Sequence, residues 1–357
     1  MKKLKVMIAG TANPHIPGYL KSATRKEFEL VAVSDFDRKR LAPVKGIPLY
    51  RDYREMFDKH PEAEAVIIGS DNVDHYEIFL AAVEKKLHIY MMKVISMNED
   101  ECRRMIEIGD AYDRIIQCEL ELHFNPQFRY ARKLVQSGEL GEIKSIYLTN
   151  ISQSPCNYFP NWGTPELSYG KRMPIHPGAN VFRGGAITDH PHPFDLIRWL
   201  TGNEFRTVKA ISARNQRAHL EVEDHAAVTG ELDNGVRYFI NPSYSNLEEK
   251  AACRRLLWPK SLECNLKITG TRGYFACDYF DRHAYVVGNN CASPDRLIVD
   301  SAPRLEPEPD NTLMGSFAAT IAGRRKRPET TLSDDFAAVR VMNATYDSIY
   351  SGETVKL

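Results

Sequence analysis

The first third of the chain alternates short apolar runs with amphipathic segments, and this rhythm restricts the possible folds more than any other feature. Leu4–Ala9, Leu30–Ser34, Ala65–Ile68, His88–Met91 and Ile115–Glu119 read as strands, each bounded by Gly, Asp or Asn. Between them, Tyr53–Lys59, His75–Lys85 and Asn98–Tyr112 carry helical periodicity, the last opened by the capping-box-like Ser96-Met97-Asn98-Glu99. Strands alternating with helices of this length build a parallel sheet covered on both faces. The expectation is a doubly wound α/β sheet, with ligands at the carboxyl ends of its strands.

From about Ile143 the texture changes. Ile143–Asn150, Thr207–Ala213, Asp224–Leu232, Val236–Tyr244, Cys264–Thr269 and Gly273–Asp278 are strand-like, separated by turn signals such as Asp233-Asn234-Gly235. They predict an α+β domain with a large, mainly antiparallel open sheet. The expected division is residues 1–122 and 123–357. A final amphipathic helix, Asp334–Tyr350, ends at Gly352 and is expected to pack back toward the first domain.

Composition excludes several partners. The 357 residues are 43% hydrophobic and 26% charged, the balance of a soluble globular protein. Lys plus Arg (47) equals Asp plus Glu (47), so no overall field favours nucleic acid or a membrane surface. Seven cysteines without a C-x-x-C pair suit reduced thiols in a cytoplasm. The apolar run at the N-terminus is too short for a signal segment, and no stretch approaches membrane-span length. A cytoplasmic protein is the expectation.

Titratable groups crowd into one place, Gly184-Gly185-Ala186-Ile187-Thr188-Asp189-His190-Pro191-His192-Pro193-Phe194-Asp195, which runs directly into an apolar helix pattern. Such crowding is how sites tune pKa values. Helix capping accounts for one or two of these residues but not for all four acids and imidazoles. A divalent ion held by Asp189, His190, His192 and Asp195, in a hydrolase or isomerase, is one alternative use of the cluster.

A nucleotide site is expected after the first strand, where the chain reads Gly10-Thr11-Ala12-Asn13-Pro14-His15. Only the first glycine of a G-x-G-x-x-G fingerprint stands. Ala12 still permits close backbone approach, whereas His15 in the third position loosens helix-to-strand packing. Pro14 removes a donor from the phosphate cradle. Asp35, at the end of the second strand, sits where a carboxylate accepts the ribose hydroxyls of NAD and repels the 2′-phosphate of NADP; Arg38, Lys39 and Arg40 beside it oppose that preference.

In these features the chain resembles the Gfo/Idh/MocA oxidoreductases, which include glucose-fructose oxidoreductase and inositol dehydrogenase. The resemblance also rests on Gly69-Ser70-Asp71-Asn72-Val73-Asp74-His75, Phe124-Asn125-Pro126, Gly138-Glu139-Leu140-Gly141-Glu142-Ile143 and Ile268-Thr269-Gly270-Thr271-Arg272-Gly273. It implies a dinucleotide on the first domain, contacted by Gly10, Thr11, Ala12, His15, Asp35, Ser70, Asn72, His75 and Lys93. It implies a carbohydrate substrate, and a homo-oligomer, dimer or tetramer, assembled through the second sheet. Two motifs depart from the family pattern: Glu-Lys-Pro becomes Met92-Lys93-Val94, and the gap between Asp189 and His192 is one residue short. The implied catalytic residues are His192 as base, Lys93 as the group that polarises the substrate oxygen, and Asp189. The shortened gap leaves open whether His190 takes the place of Asp189. Asp195 either orients the His192 ring or caps the helix. Arg183, His190, His176 and Asn157 are the expected substrate contacts. Two further alternatives are transient oxidation with NAD retained, leading to glycosidic cleavage or elimination, and a non-catalytic sugar sensor.

Overall fold

A computed structural model describes residues 3–13, 15–22, 27–41, 44–152, 173–174, 182–183, 185–212, 215, 222–244, 263–279, 283–288, 298–301 and 309–357. The first part runs β1 (Leu4–Ala9), α1 (Ile16–Ser22), β2 (Phe28–Ser34), α2 (Arg38–Leu41), β3 (Leu49–Tyr50), α3 (Tyr53–Lys59), β4 (Ala65–Ile68), α4 (His75–Glu84), β5 (His88–Met91), α5 (Glu99–Asp110) and β6 (Ile116–Cys118). Its strands pair in parallel in the order β3-β2-β1-β4-β5-β6, so the chain reverses direction across the sheet between β1 and β4. Side chains alternate across the pleat of β1. Val6 and Ile8 join a cluster with Ile16, Tyr19 and Phe317, while Met7 and Ala9 join one with Met56, Phe79 and Met105. Both faces of β1 are therefore dry, which is why its apolar run is unbroken.

The start of α5 differs from the expected capping box. Asn98 is the cap, its side chain accepting from Asp100 N, and Glu99, Asp100 and Glu101 fill the first turn. Ser96 instead donates to Glu101. A carboxylate-rich first turn favours the positive end of the helix dipole, so the acids help wherever the cap falls.

The second part begins with α6 (Pro126–Gln136), capped by Asn125 with a proline at the first helical position, and β7 (Ile143–Ser152). A short ribbon, β8 (Met173–Pro174) with β9 (Phe182–Arg183), precedes α7 (Gly185–Asp189) and α8 (His192–Thr201). Then follow β10 (Phe205–Ser212), β11 (Ala226–Leu232), β12 (Arg237–Tyr244), β13 (Asn265–Gly270), β14 (Gly273–Asp278), β15 (His283–Gly288) and β16 (Ile298–Ser301). Two helices, α9 (Leu313–Ile321) and α10 (Leu332–Ser351), and a last strand, β17 (Val355–Lys356), complete the chain. The nine-stranded sheet has the order β16-β15-β14-β13-β7-β12-β11-β10-β17. Its pairs are antiparallel except β7 with β12. The expected fold class is the observed one. The sequence signals for β3, β15 and β16 are weak because these strands are short, whereas α6, with its Asn125 cap and Pro126 start, carried a clear helix signal.

One apolar cluster runs from Met91 and Val94 of the first part through Phe128 and Phe194 to Ile146, Val208 and Met342 of the second. The C-terminal segment also returns to the first sheet, where Phe317 of α9 packs edge-on against Tyr90. Helix α10 is fixed at its start by a reciprocal Thr331–Asp334 capping box. One residue on, Asp335 accepts a hydrogen bond from Ile95 N at 3.1 Å, so the last long helix clamps the loop that follows β5.

Asp335 is fully buried, and burial is the main reason its carboxyl is pushed up to about 7, against an ordinary value of 3.8. The native state thus keeps a proton that the unfolded chain has released. Across that window stability must fall as pH rises. Replacing Asp335 with Asn keeps an acceptor for Ile95 and removes the titration. Urea unfolding between pH 5 and 8 should show a declining wild-type stability and a flatter Asp335→Asn curve, with the variant ahead by on the order of 2 kcal/mol at pH 8. Parallel slopes for the two proteins would exclude Asp335 as the cause.

Candidate active site

The loop after β1 meets the loop after β4 at the point where strand order reverses. Gly10 has φ +84°, and a Cβ there would lie 2.4 Å from the N and Cα of Ser70, so only glycine fits. The amides that a fingerprint loop offers to a pyrophosphate are largely engaged internally. Thr11 N donates to Asp35, Asn13 N to the Gly69 carbonyl and His15 N to the Asn13 side chain. Asp35 stands at the end of β2, buried, with Thr11 N and Oγ1 donating to its Oδ2 at 2.7 and 2.9 Å. Arg40 is buried between Asp35 (3.9 Å) and Asp71 (3.2 Å), while Arg38 and Lys39 are exposed. The one cation near the ribose position is thus already neutralised by two carboxylates.

This cleft fits a dinucleotide at its adenosine end, where Asp35 is fixed in place. It also offers Asn72, whose buried Nδ2 has no partner among the described residues. Ala12 and Ser70 are buried beside it. His75 does not face a ligand. It is fully buried, with Nδ1 2.8 Å from the Val94 carbonyl and Nε2 3.2 Å from the Ser70 carbonyl, and burial lowers its pKa to about 4. Its expected cofactor contact is replaced by a structural one: a neutral ring that ties α4 to the loop beyond β5.

Lys93, two residues past β5, crosses to the second part of the chain. Its Nζ donates to the backbone carbonyl of Asp189 and, at 3.0 Å, to Asp189 Oδ1. Both side chains are about 95% buried. Burial alone would raise the Asp189 carboxyl, but Lys93, with His190, outweighs it and holds the group below the usual carboxylate range. The shortened spacing therefore does not swing Asp189 away. His190 instead bonds back through Nδ1 to the Ala186 carbonyl and packs its ring against Tyr244, leaving Nε2 without a partner among the described residues.

Backbone geometry presents these residues. Gly185 has φ +79°, and a Cβ there would sit 2.5 Å from the Glu223 carbonyl oxygen. Glu223 accepts from Ala186 N through its own carbonyl and from Ile187 N through its carboxylate, so it caps α7. His192 opens α8. Burial first, then Lys93, His15, His190 and His123, push its pKa well below 6.5, which keeps the imidazole neutral at pH 7. Its Nδ1 has no partner among the described residues, and Nε2 lies 3.9 Å from Glu121.

Three residues that the sequence reading passed over follow β6 in the run Glu119-Leu120-Glu121-Leu122-His123. Glu119 is buried and receives His15 Nδ1 at 2.9 Å and Tyr19 Oη at 2.7 Å. His15 therefore does more than loosen packing. Burial opposes its charge, but Glu119 and Glu121 win and raise its pKa to about 9, making it an imidazolium beside Lys93. His15, Glu119 and Glu121 form the one group among the described residues with metal-ligand proximity; the short His15–Glu119 contact and raised pKa make it an ion pair. The signal was positional, since carboxylates immediately after a parallel strand point to the ligand end of the sheet.

Asp195 corrects the sequence reading. It neither orients His192 nor caps the helix; its Oδ2 lies 2.8 Å from His123 Nε2, with both side chains 2% exposed. The four-residue metal alternative fails on the same geometry, because Asp189 is committed to Lys93 and Asp195 to His123. Asn157 and His176 lie outside the described residues, and Arg183 is placed only by its backbone pairing with Met173.

A doubly wound parallel sheet with its cleft where strand order reverses, joined to a large open sheet, defines a dinucleotide-binding architecture. Residues 4–120 match the oxidoreductase-family NAD-binding Rossmann fold and residues 128–276 the GFO/IDH/MocA C-terminal domain. The chain belongs to the GFO/IDH/MocA oxidoreductase family. It is similar to a myo-inositol 2-dehydrogenase of Thermotoga maritima, 26% identical over 58% of this chain and 56% of that protein. The chain spans about half the length of the curated relatives it matches. In fold it is similar to an oxidoreductase from Agrobacterium radiobacter in complex with NAD+, L-tartaric acid and magnesium (TM-score 0.77, 19% identity, 99% of this chain and 98% of that one). It is likewise similar to scyllo-inositol dehydrogenase from Lactobacillus casei with NAD(H) and scyllo-inositol (TM-score 0.75, 18% identity, 99% of each chain).

The His123–Asp195 pair yields a test. Asp195→Asn should lower stability by about 1–3 kcal/mol, because it weakens a buried charged contact. It should leave the pH profile of kcat in place. A shifted acidic limb without loss of stability would instead make Asp195 the partner of His192.

Proposed function

We propose that the protein oxidises a hydroxyl-bearing carbon of a sugar, polyol or sugar derivative, or runs the reverse reaction. What carries this reading is the meeting of Lys93 with Asp189 beside a neutral, buried His192 at the carboxyl end of β5. When bound, NAD supplies the hydride acceptor. His192, kept uncharged by its surroundings, takes the hydroxyl proton. Lys93 holds the same oxygen and stabilises the negative charge that grows on it. Asp189 fixes the ammonium in direction. His190, with one ring nitrogen unengaged, is a proposed substrate contact with Arg183, His176 and Asn157. Gly10, Thr11, Ala12, His15, Asp35, Ser70 and Asn72 are proposed to line the dinucleotide. The names of the similar inositol dehydrogenases support a polyol substrate class.

The proposed division of the chain is 1–122 for the dinucleotide and 123–357 for substrate and assembly. No helix among the described residues is long and apolar enough to cross a membrane, and Cys102, Cys118, Cys264 and Cys277 are free thiols, which supports a cytoplasmic setting. The assembly is proposed to be a homo-oligomer formed through the outer face of the nine-stranded sheet. Tyr147, Phe239 and Ile211 are 47%, 37% and 65% exposed there, on β7, β12 and β10, with the two aromatic rings stacked at 4.5 Å. An apolar stripe of this kind on a sheet face is costly to leave wet.

Lys93→Met and His192→Asn should each lower kcat by on the order of 10²- to 10⁴-fold while the NAD dissociation constant stays within about twofold. His190→Asn should mainly raise KM; loss of turnover there, with His192→Asn near wild type, would move the base to His190. Binding titrations should favour NAD over NADP by at least about tenfold, since Asp35 repels the 2′-phosphate, and equal affinity would show Arg40 released from its acids. Ile211→Glu should shift the sedimentation coefficient to that of a smaller species; an unchanged value would place the interface elsewhere.

A further inference from the structure

Away from the Lys93–His192 cleft, α6 turns a strongly basic face toward α8 and the segment after α9. Arg129, Arg132 and Lys133 lie at i, i+3 and i+4 on that helix, and with Arg325 they line a cavity of about 510 Å³. Glu329 is the one acidic side chain in the lining, so four cations face a single carboxylate. That carboxylate is already shared: Arg325 Nη2 donates to its Oε2, and Arg129 Nη2 lies 3.8 Å from its Oε1. Arg129 Nη2, for all its proximity to Glu329, makes no hydrogen bond among the described residues, and neither does the buried Arg132 Nε. Arg129 is also held from behind, its Nε donating to the His123 carbonyl at 2.7 Å, which fixes the rest of its fork. The Arg132 guanidinium lies 4.6 Å from the centre of the Trp199 ring, whose other neighbour is His123 at 4.3 Å. Buried guanidinium donors without acceptors are costly unless an anion completes them.

We propose that this cavity is a second ligand site, one that takes a phosphate monoester with a hydroxylated body. The phosphate dianion would meet Arg129 and Arg132, matching the excess positive charge with the fork geometry that guanidinium groups prefer. The remaining wall combines the Trp199 ring, a flat surface for the face of a sugar, with Gln136 and Asn311, whose amides can bond hydroxyls. The volume suits a molecule of sugar-phosphate size.

The test uses the full chain saturated with NAD, so that the dinucleotide's own phosphate site is filled. Inorganic phosphate and glucose 6-phosphate are titrated by calorimetry and by tryptophan fluorescence. Inorganic phosphate should bind in the millimolar range or tighter, and glucose 6-phosphate more tightly than that. Arg132→Met should weaken both by about tenfold or more. Glu329→Gln removes the competing carboxylate and should tighten both by about threefold, a gain that misfolding cannot produce. Absence of binding to the wild type, equal binding by wild type and Arg132→Met, or weaker binding by Glu329→Gln would overturn the site. Phosphate binding with no advantage for glucose 6-phosphate would overturn the monoester assignment.

Discussion

Lys93, in the loop after β5, and Asp189, at the end of helix α7, lie 96 positions apart, yet their side chains meet at 3.0 Å in an almost dry setting. Neither charge is tolerable there alone, because an unpaired buried ion costs several kcal/mol. The two halves of the molecule must therefore close on each other in one register for either to be accommodated. Much of the surrounding structure enforces that register. Asp335 holds the backbone two residues beyond Lys93, Glu223 caps the helix that ends in Asp189, and Gly185 permits the close approach on which that cap depends. One continuous apolar cluster through Val94, Phe128, Phe194 and Ile146 spans both parts of the chain, so the closure that forms the ion pair also buries apolar surface.

The same pair sets the electrostatics of the cleft. Burial, and after it the fixed ammonium of Lys93, disfavours a positive charge on His192, so the imidazole stays neutral and retains a lone pair for a proton. His15 goes the other way because two glutamates face it. Two imidazoles in one cleft thus hold opposite charge states, and the difference comes from their neighbours rather than from burial, which lowers both. That division is the arrangement expected of a site that both accepts a proton and stabilises an oxyanion.

Much of this was legible before any coordinates. The parallel sheet could be read from continuous apolar strands, and Asp35 from its place after β2. Lys93, Asp189 and His192 came from motifs, two of them altered. Pairing partners were not legible. Nothing in the spacing of Asp195 from His192 shows that it turns toward His123, because a residue three positions along a helix can face either its own turn or a neighbouring element. His75 looked like a cofactor ligand from its place in a loop motif, and it proved to be a buried brace. Glu119 and Glu121 carried a positional signal that a reading focused on the histidine-rich segment passed over.

By itself the sequence determined the two sheets, their order along the chain and the residue types available at the strand ends, because apolar periodicity and turn chemistry act over a few residues. Only the tertiary structure decided which of those residues meet. Whether a carboxylate is spent on Lys93, on His123 or on His15, and hence which imidazole is charged, depends on contacts between segments 70 to more than 100 positions apart, and no local pattern encodes distances of that kind.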